Sequence, residues 1–374
     1  MDKVGVGIIG SRFVSRIHAE SLTRVPAAQI VAVGSSTPEH VQAFARDFSV
    51  PAAYTDYRDV LADKNVDVVL IGVPNDLHAR IVIDAAAAHK HVIIEKPFCM
   101  NLSEADQMIA ACKQAGVKLM YAEELCFAPK YVRAKTLADE GALGDVYLIK
   151  QSEKHSGPHS NWFWDVDRSG GGVLFDMGCH GVEFARWVLG KPKVRGVYAH
   201  LSTLVHGNRT RADDNSILIV EFENGATALI EDSWAKEGGM DDTAEIYGSH
   251  GVVYADILRG SSLITFSTRG YGYAVEKASS TVGWTFTMYE EAWNYGFPQE
   301  MAHFIDCILS DTQPIETGDD GRAVMEIIFA GYESAASGQK IQFPYAPRYP
   351  SRPIESWLQS GLKRGSSAAP RQGS

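Results

Sequence analysis

Over residues 1–125, short β-branched apolar runs alternate with stretches of helical spacing, and no other feature of the chain limits its fold so tightly. Residues 4–9, 30–33, 66–73, 91–95 and 118–121 have the length and side chains of buried strands. Between them, residues 14–24, 38–48, 76–89 and 103–115 repeat apolar side chains at helical spacing, and Ser103 with Asp106 supplies an S-x-x-D start signal for the last. Strand followed by helix in short units builds a parallel sheet with helices on both faces.

After Phe127 the texture changes. A helix is expected over residues 129–140, closed by Gly141 and then Gly144. Strand-like runs follow at 146–153, 194–205, 216–222, 226–234, 243–247, 252–257, 262–268 and 273–276, interrupted by helical stretches at 173–189, 299–309 and 321–337. Glu223-Asn224-Gly225 joins two of the strands as a hairpin turn. Strands in sequence without intervening helices predict an α+β domain with a large, mostly antiparallel sheet, open on one face. The chain is thereby divided into a first domain over 1–125, a second over 126–347, and a Pro-, Ser-, Gly- and Arg-rich tail over 348–374 expected to be partly disordered. An open antiparallel face needs a cover, and a second copy of the chain is the usual one, so a homo-oligomer, dimer or tetramer, is expected.

Composition excludes several classes of function. The 374 residues are 45% apolar and 22% charged, the balance of a globular protein. Lys plus Arg total 35 against 46 Asp plus Glu, a net charge of −11 that repels a phosphate backbone and argues against a nucleic-acid partner. No apolar run approaches the roughly 20 residues that cross a bilayer, so no membrane association is expected, and the first 21 residues lack the features of a signal peptide. Five scattered cysteines (Cys99, Cys112, Cys126, Cys179, Cys307) with no CxxC pair predict reduced thiols and a cytoplasmic location.

Gly5-Val6-Gly7-Ile8-Ile9-Gly10 matches G-x-G-x-x-G literally, but residues 4–9 are themselves the strand. The phosphate-binding glycines belong to the turn that leaves the strand and opens the helix. That turn is Gly10-Ser11-Arg12-Phe13-Val14-Ser15, with Gly10 in the first glycine position, Arg12 in the second and Ser15 in the third. Gly10, Arg12, Phe13 and Val14 are therefore candidate dinucleotide contacts. The acid that holds an adenosine ribose is expected at the end of the second strand. Only Ser35, Ser36 and Thr37 stand there, so NAD and NADP both remain open, with Arg12 as the nearby cation.

Two further segments lie at carboxyl ends of strands, where ligands bind in open α/β sheets. They are Val73-Pro74-Asn75-Asp76-Leu77-His78 and Glu95-Lys96-Pro97. A third motif, Gly171-Gly172-Val173-Leu174-Phe175-Asp176-Met177-Gly178-Cys179-His180, lies in the second half. With these three the chain resembles the glucose–fructose oxidoreductase / inositol dehydrogenase (Gfo/Idh/MocA) family along nearly its whole length. The resemblance implies a Rossmann dinucleotide-binding domain, then a substrate-binding and oligomerisation domain with a large open sheet. It implies NAD (or NADP) as cofactor, with Pro74, Asn75, His78, Glu95 and Lys96 as further contacts. It also implies hydride transfer between the cofactor and a secondary alcohol or ketone of a sugar, cyclitol or glycoside. The family's lysine, aspartate and histidine fall on Lys96, Asp176 and His180.

Alcohol oxidation needs a group that takes the hydroxyl proton as hydride leaves, and an imidazole titrates in the right range. His180 is that candidate. Asp176, four residues earlier on the same expected helix, shares its face, and the Lys96 cation suits a developing alkoxide. Where the family carries asparagine and arginine this chain has Glu124 and Cys126. Glu124 is a candidate for sugar hydroxyls or simply a solvated strand end. The segment 153–165 mixes aromatic and hydrogen-bonding groups, so His155, His159, Trp162 and Trp164 are candidates for substrate contact or for loop packing. The spacing of His155, His159, His180 and Glu124 fits no zinc pattern, and a metal-free site is expected. Met288-Tyr289-Glu290-Glu291 and Trp293-Asn294-Tyr295-Gly296-Phe297 are expected in a loop near the sheet or at a subunit contact. Two other functions are compatible with the same residues: a sugar oxidation that initiates elimination, and a non-catalytic dinucleotide sensor, the latter favoured by Arg12 and disfavoured by the intact Lys96, Asp176 and His180.

Overall fold

The structure is a computed structural model that describes residues 3–259, 263–272, 275–287 and 290–360. Ser262, at the start of an expected strand, Tyr273 and Ala274 of another, Met288, Tyr289 and the last fourteen residues of the tail lie outside the described residues. In chain order the first elements are β1 (Val4–Ile9), α1 (Phe13–Leu22), β2 (Ala28–Gly34), α2 (Pro38–Asp47), β3 (Ala52–Tyr54), α3 (Tyr57–Ala62), β4 (Val68–Ile71), α4 (His78–Ala87), β5 (His91–Glu95), α5 (Leu102–Ala115) and β6 (Leu119–Ala122). The middle of the chain forms α6 (Pro129–Asp139), β7 (Val146–Lys154), α7 (Val166–Ser169), α8 (Val173–Asp176), α9 (Gly178–Val188), β8 (Val194–Ser202), β9 (Asn215–Phe222), β10 (Thr227–Ser233), β11 (Asp241–Gly248) and β12 (Val252–Asp256). The last elements are β13 (Leu263–Ser267), β14 (Gly283–Thr287), α10 (Glu291–Tyr295), α11 (Phe297–Leu309), α12 (Gly318–Ser337), β15 (Ile341–Gln342) and α13 (Glu355–Gln359).

Two compact units result. The first runs to Pro129 and includes Ala292–Met325; the second holds Lys130–Glu291 and the chain from Glu326. Residues 292–325, expected in the second domain, thus fold with the first. They join it through apolar contact: the Phe297 ring meets His18 of α1 edge-on at 5.4 Å, and Phe304 meets Phe127 at 5.7 Å. The Tyr121 N–H also donates to the Glu316 carbonyl at 3.2 Å, alongside β6.

The first unit is a six-stranded parallel sheet in the order β3-β2-β1-β4-β5-β6. Every residue of β1, β4 and β6 is buried, as expected of strands covered on both faces. The order reverses between β1 and β4, and the loops leaving their carboxyl ends flank the usual ligand crevice of such sheets. β3 and α3 were not expected from the sequence. Ala-Ala-Tyr is too short to show a period, and α3 is opened by Asp56, whose side chain accepts from the Arg58 N–H. The start of α5 also differs: Asn101 caps it by accepting from the Glu104 N–H at 3.0 Å, while Glu104 accepts from the Met100 N–H at 3.0 Å. This is a reciprocal cap two residues before the expected one at Ser103.

The second unit has a seven-stranded sheet in the order β12-β11-β7-β10-β9-β8-β15. All neighbours are antiparallel except β7 with β10. One face is apolar and buried, carrying Ile149, Val197, Leu218, Val220, Ile230 and Ile246, and α9 packs on β7 and β10 from that side. The other face alternates outward and presents Tyr198, Ile217 and Tyr254, all exposed. The single helix expected over 173–189 breaks at Met177 into α8 and α9. Gly172 explains how α8 begins: a Cβ there would collide with the Asp213 carbonyl, so only glycine admits this approach. The expected strand at 273–276 is not one over its described residues, Val275 and Glu276. In the expected tail, Ile354 and Trp357 are buried around the start of α13, so this stretch is anchored by its apolar side chains.

Candidate active site

In the first unit the candidate site is a set of turns at the carboxyl edge of the parallel sheet. Gly10 has φ +120°, and a Cβ on it would collide with the Gly72 carbonyl of the loop after β4. Glycine is therefore required where β1 hands over to α1. Hydrogen bonds fix this turn: the Gly10 N–H donates to the Gly34 carbonyl at 2.8 Å, the Ser11 hydroxyl to Ser35 Oγ at 2.8 Å, and the buried Ser15 hydroxyl to the Gly72 carbonyl at 3.3 Å. Ser15 thus fills the third glycine position as a hydrogen-bonded spacer. Arg12, extended (φ −97°, ψ −158°) and exposed, precedes the first turn of α1 without a side-chain cap bond. Phe13 and Ser36 are exposed as well, Val14 and Pro74 are half-buried, and Asn75 is buried. This cradle, with open glycine backbone and a helix start behind it, fits a dinucleotide pyrophosphate, and no carboxylate at the end of β2 marks the ribose.

Two expected cofactor contacts, His78 and Glu95, are buried and bonded within the first unit. His78 is fully buried, and its Nε2–H donates to the Val73 carbonyl at 3.0 Å. Burial pushes its pKa below the usual histidine range, so the neutral ring braces the Val73-Pro74-Asn75 turn from beneath. Glu95 is buried at the end of β5; one oxygen is bonded to Nε2 of His18 and the other accepts the Lys96 N–H at 3.1 Å. Both oxygens are engaged inside the protein. Lys96 itself is half-buried, and Glu124 is buried at the start of a 3₁₀ turn over Glu124–Phe127.

In the second unit Asp176 closes α8 and His180 lies in the first turn of α9, both nearly fully buried. They stand on either side of the break at Met177 rather than on one helix. The amino end of α8 is clamped: Val173 and Leu174 N–H groups donate to the Asp213 carbonyl (2.9 Å) and carboxylate (2.8 Å), while Tyr332 OH donates to Asp213 at 2.9 Å and accepts from the Gly172 N–H at 3.0 Å. Burial pushes the Asp213 carboxyl up to about 6. Burial also pushes Asp232 upward, with the charges of Asp213 and Asp176 adding to the effect, although the Ser216 hydroxyl donates to it at 3.0 Å.

Around these acids stand the loop residues. His159 Nδ1 lies 2.9 Å from Glu276, and His155 stacks obliquely on His159 with ring centres 5.6 Å apart. Trp162 stacks on Phe163 at 3.8 Å. Trp164 meets Trp234 edge-on at 5.3 Å and carries the Arg209 guanidinium over its ring at 4.1 Å. The buried Trp234 Nε1–H has no acceptor among the described residues. Sequence reasoning missed Asp213, Asp232, Trp234 and Lys277. The ammonium of Lys277 donates to the Gly157 carbonyl at 2.7 Å, and its pKa is lowered by burial against the opposing pull of Glu276 and Asp176. The Gly171–His180 motif points only at its own segment; the partners come from strands and loops with no local signal.

All five cysteines are buried and no disulfide joins them; burial pushes Cys112 up to about 12. Among the described residues no helix is long and apolar enough to cross a membrane.

Comparison with known proteins agrees with this layout. The family model for the oxidoreductase family with an NAD-binding Rossmann fold (GFO_IDH_MocA) matches residues 4–123, and the model for the GFO/IDH/MocA C-terminal domain matches residues 131–254. The solved structure of GenD2 from gentamicin A biosynthesis, in complex with NAD, is 32% identical, covers 92% of this chain and 97% of its own, and superposes with a TM-score of 0.87. Myo-inositol 2-dehydrogenase of Thermotoga maritima is 26% identical over 339 residues, 90% of this chain and 98% of that protein. Levoglucosan dehydrogenase of Pseudarthrobacter phenanthrenivorans is 28% identical over 297 residues, 70% of this chain and 76% of that one. The chain belongs to the Gfo/Idh/MocA family of NAD-binding oxidoreductases.

Proposed function

We propose that the protein is an NAD-dependent dehydrogenase acting on a secondary hydroxyl of a sugar, cyclitol or glycoside. The observation that carries this reading is that Lys96, Asp176 and His180 all occur at the family's motif positions, with Asp176 and His180 buried and the amino end of the Asp176 helix held by Asp213 and Tyr332. Relatives named for myo-inositol and levoglucosan support a polyhydroxylated ring as substrate. When bound, NAD supplies the hydride acceptor. His180 takes the hydroxyl proton, Asp176 orients the substrate or the imidazole, and the Lys96 ammonium stabilises charge growing on the reacting oxygen. His155, His159, Trp162, Trp164 and Glu124 hold the ring, flat aromatic faces against C–H surfaces and polar groups to hydroxyls. The turn at Gly10–Val14 with Ser35, Ser36, Pro74 and Asn75 holds the dinucleotide, and the missing ribose acid leaves NADP acceptable.

NADH formation against a panel of inositols, aldoses and anhydrosugars tests the reading, with Lys96→Ala and His180→Asn as controls. Turnover on at least one member, lowered about 100- to 10,000-fold by either substitution, is expected. Tight NAD binding with no turnover on any member would instead make the chain a dinucleotide sensor, and a dehydrated product would make the oxidation the first half of an elimination. The exposed apolar residues on the outer sheet face support a homo-oligomer; light scattering at the 40.9 kDa of one chain would contradict it. Buried thiols without a disulfide support a reducing, cytoplasmic compartment.

A further inference from the structure

A buried carboxylate links the helix that opens at the phosphate turn to the backbone of the candidate catalytic lysine. Glu95 is 5% exposed at the end of a strand whose three preceding residues, Val92, Ile93 and Ile94, are apolar and fully buried. One of its oxygens is bonded to His18 Nε2, and the other accepts the Lys96 N–H at 3.1 Å. His18 is fully buried on α1, and its ring stands edge-on to Phe297 at an interplanar angle of 83°. Its Nδ1 has no hydrogen-bond partner among the described residues, so the contact with Glu95 is what its polarity serves.

A third group sharpens the point. Glu300 on α11 is fully buried, and neither of its carboxyl oxygens has a hydrogen-bond partner among the described residues. Its charged neighbours are Glu124, Glu95 and Glu123. A carboxylate at position 95 therefore sits among other acids in a dry setting. There an unpartnered charge is costly, and an apolar residue would serve packing better. What the carboxylate does that an apolar residue cannot is accept two hydrogen bonds at once, one from the helix of the phosphate turn and one from the backbone of Lys96.

We propose that His18 and Glu95 are positioning residues for Lys96: His18 holds the Glu95 carboxylate, and Glu95 fixes the peptide from which the lysine side chain departs. The inference rests on the role given to Lys96 above, and it goes beyond that reading by assigning two residues that need touch neither substrate nor cofactor. Outer partners of this kind typically matter by about 10- to 100-fold when the group they orient must stand in one place.

The test compares His18→Leu, which removes the donor, with His18→Gln, which restores an N–H at similar reach, and with Glu95→Gln, which keeps one acceptor and removes the charge. The first readout is independent of turnover: the rate at which an amine-selective acylating reagent modifies Lys96 in the full-length protein, read by mass spectrometry of the peptide that contains it. His18→Leu and Glu95→Gln are expected to raise that rate about 3- to 10-fold, with thermal unfolding still cooperative. His18→Gln is expected to return it to the wild-type rate. On any substrate found, His18→Leu is expected to lower kcat about 10- to 100-fold with KM unchanged. Should His18→Leu fail to fold, Glu95→Gln carries the comparison alone. A Lys96 modification rate equal to wild type in the folded variants would overturn the inference, even if Lys96→Ala abolished turnover. Full turnover by Lys96→Ala would instead overturn the role of the lysine, whatever the labelling showed.

Discussion

The two units build their candidate sites from different material. In the first, the work falls to backbone: Gly10, Gly72 and the start of α1 form a cradle whose shape comes from a positive-φ glycine and three hydrogen bonds. In the second it falls to buried side chains: Asp176, Asp213 and Asp232 are buried acids, with Tyr332, Ser216 and amide N–H groups bonded to Asp213 and Asp232. A site made of backbone answers to steric changes and hardly at all to pH. A site made of buried carboxylates does the reverse. The contrast also separates binding, which the first unit can perform with peptide groups alone, from proton chemistry, which needs titratable side chains.

Three experiments press on that contrast. The largest effect is expected from Gly10→Ala. Its methyl meets the Gly72 carbonyl at a φ that L-residues seldom adopt, so a loss of about 3 kcal/mol or more in stability, with NAD affinity falling at least about 10-fold, is expected from chemical denaturation and calorimetry. Affinity and stability both equal to wild type would show that the cradle is not set by this turn.

A smaller effect, of opposite character, belongs to Asp213. Its carboxyl is pushed up to about 6 in the folded protein, above the 3.8 of an unperturbed aspartate. The folded state therefore holds the proton more tightly than the unfolded state. The stabilisation is fully present below about pH 4 and is lost as pH rises through about 6. Measured against Asp213→Asn, wild-type stability is expected to fall by about 2–3 kcal/mol between pH 4 and pH 7. A difference that stays flat across that window would show an ordinary aspartate. The same scan on Gly10→Ala is expected to run parallel to wild type, because that substitution changes no titratable group.

The smallest effect concerns dinucleotide choice. With Ser35 and Ser36 in place of a ribose-binding acid, and Arg12 exposed next in the chain to Ser11, which bonds Ser35, NAD and NADP are expected to bind within about 10-fold of each other, about 1.4 kcal/mol. Arg12→Ala is expected to weaken NADP about 3- to 10-fold while NAD changes less. Discrimination of 100-fold or more in either direction would show a ribose contact outside the residues named here.

What the sequence made legible follows the same division. In the parallel sheet each buried strand is a continuous apolar run and each helix has a period, so strand ends, and with them Gly10, Asn75 and Lys96, were placed to within a residue or two. β3 was lost because three residues carry no period, and the α5 cap moved to Asn101 because a reciprocal Asn–Glu cap displaced the Ser103 signal. In the second unit the strands showed clearly, but their partners did not. Nothing in Asp176-Met177-Gly178-Cys179-His180 announces the helix break at Met177, and the contact that fixes where α8 begins, Gly172 lying against Asp213, comes from about forty residues on. His78 and Glu95 were expected at the cofactor because they sit in motifs at strand ends. Their burial and their partners, the Val73 carbonyl and His18, have no local signal, because burial is a property of the whole fold. The return of residues 292–325 to the first unit was hidden for the same reason, since α11 reads as an ordinary apolar helix until its Phe297 and Phe304 find α1 and Phe127.

The central claim is that these residues move a hydride from a ring carbon. Incubating the protein and NAD with inositols and sugars deuterated at their carbinol carbons, then weighing the recovered dinucleotide, tests it most directly. The account predicts deuterium in the NADH formed with at least one of these compounds, and its loss in Lys96→Ala and His180→Asn. Bound NAD that emerges unreduced and unlabelled from every incubation would contradict it.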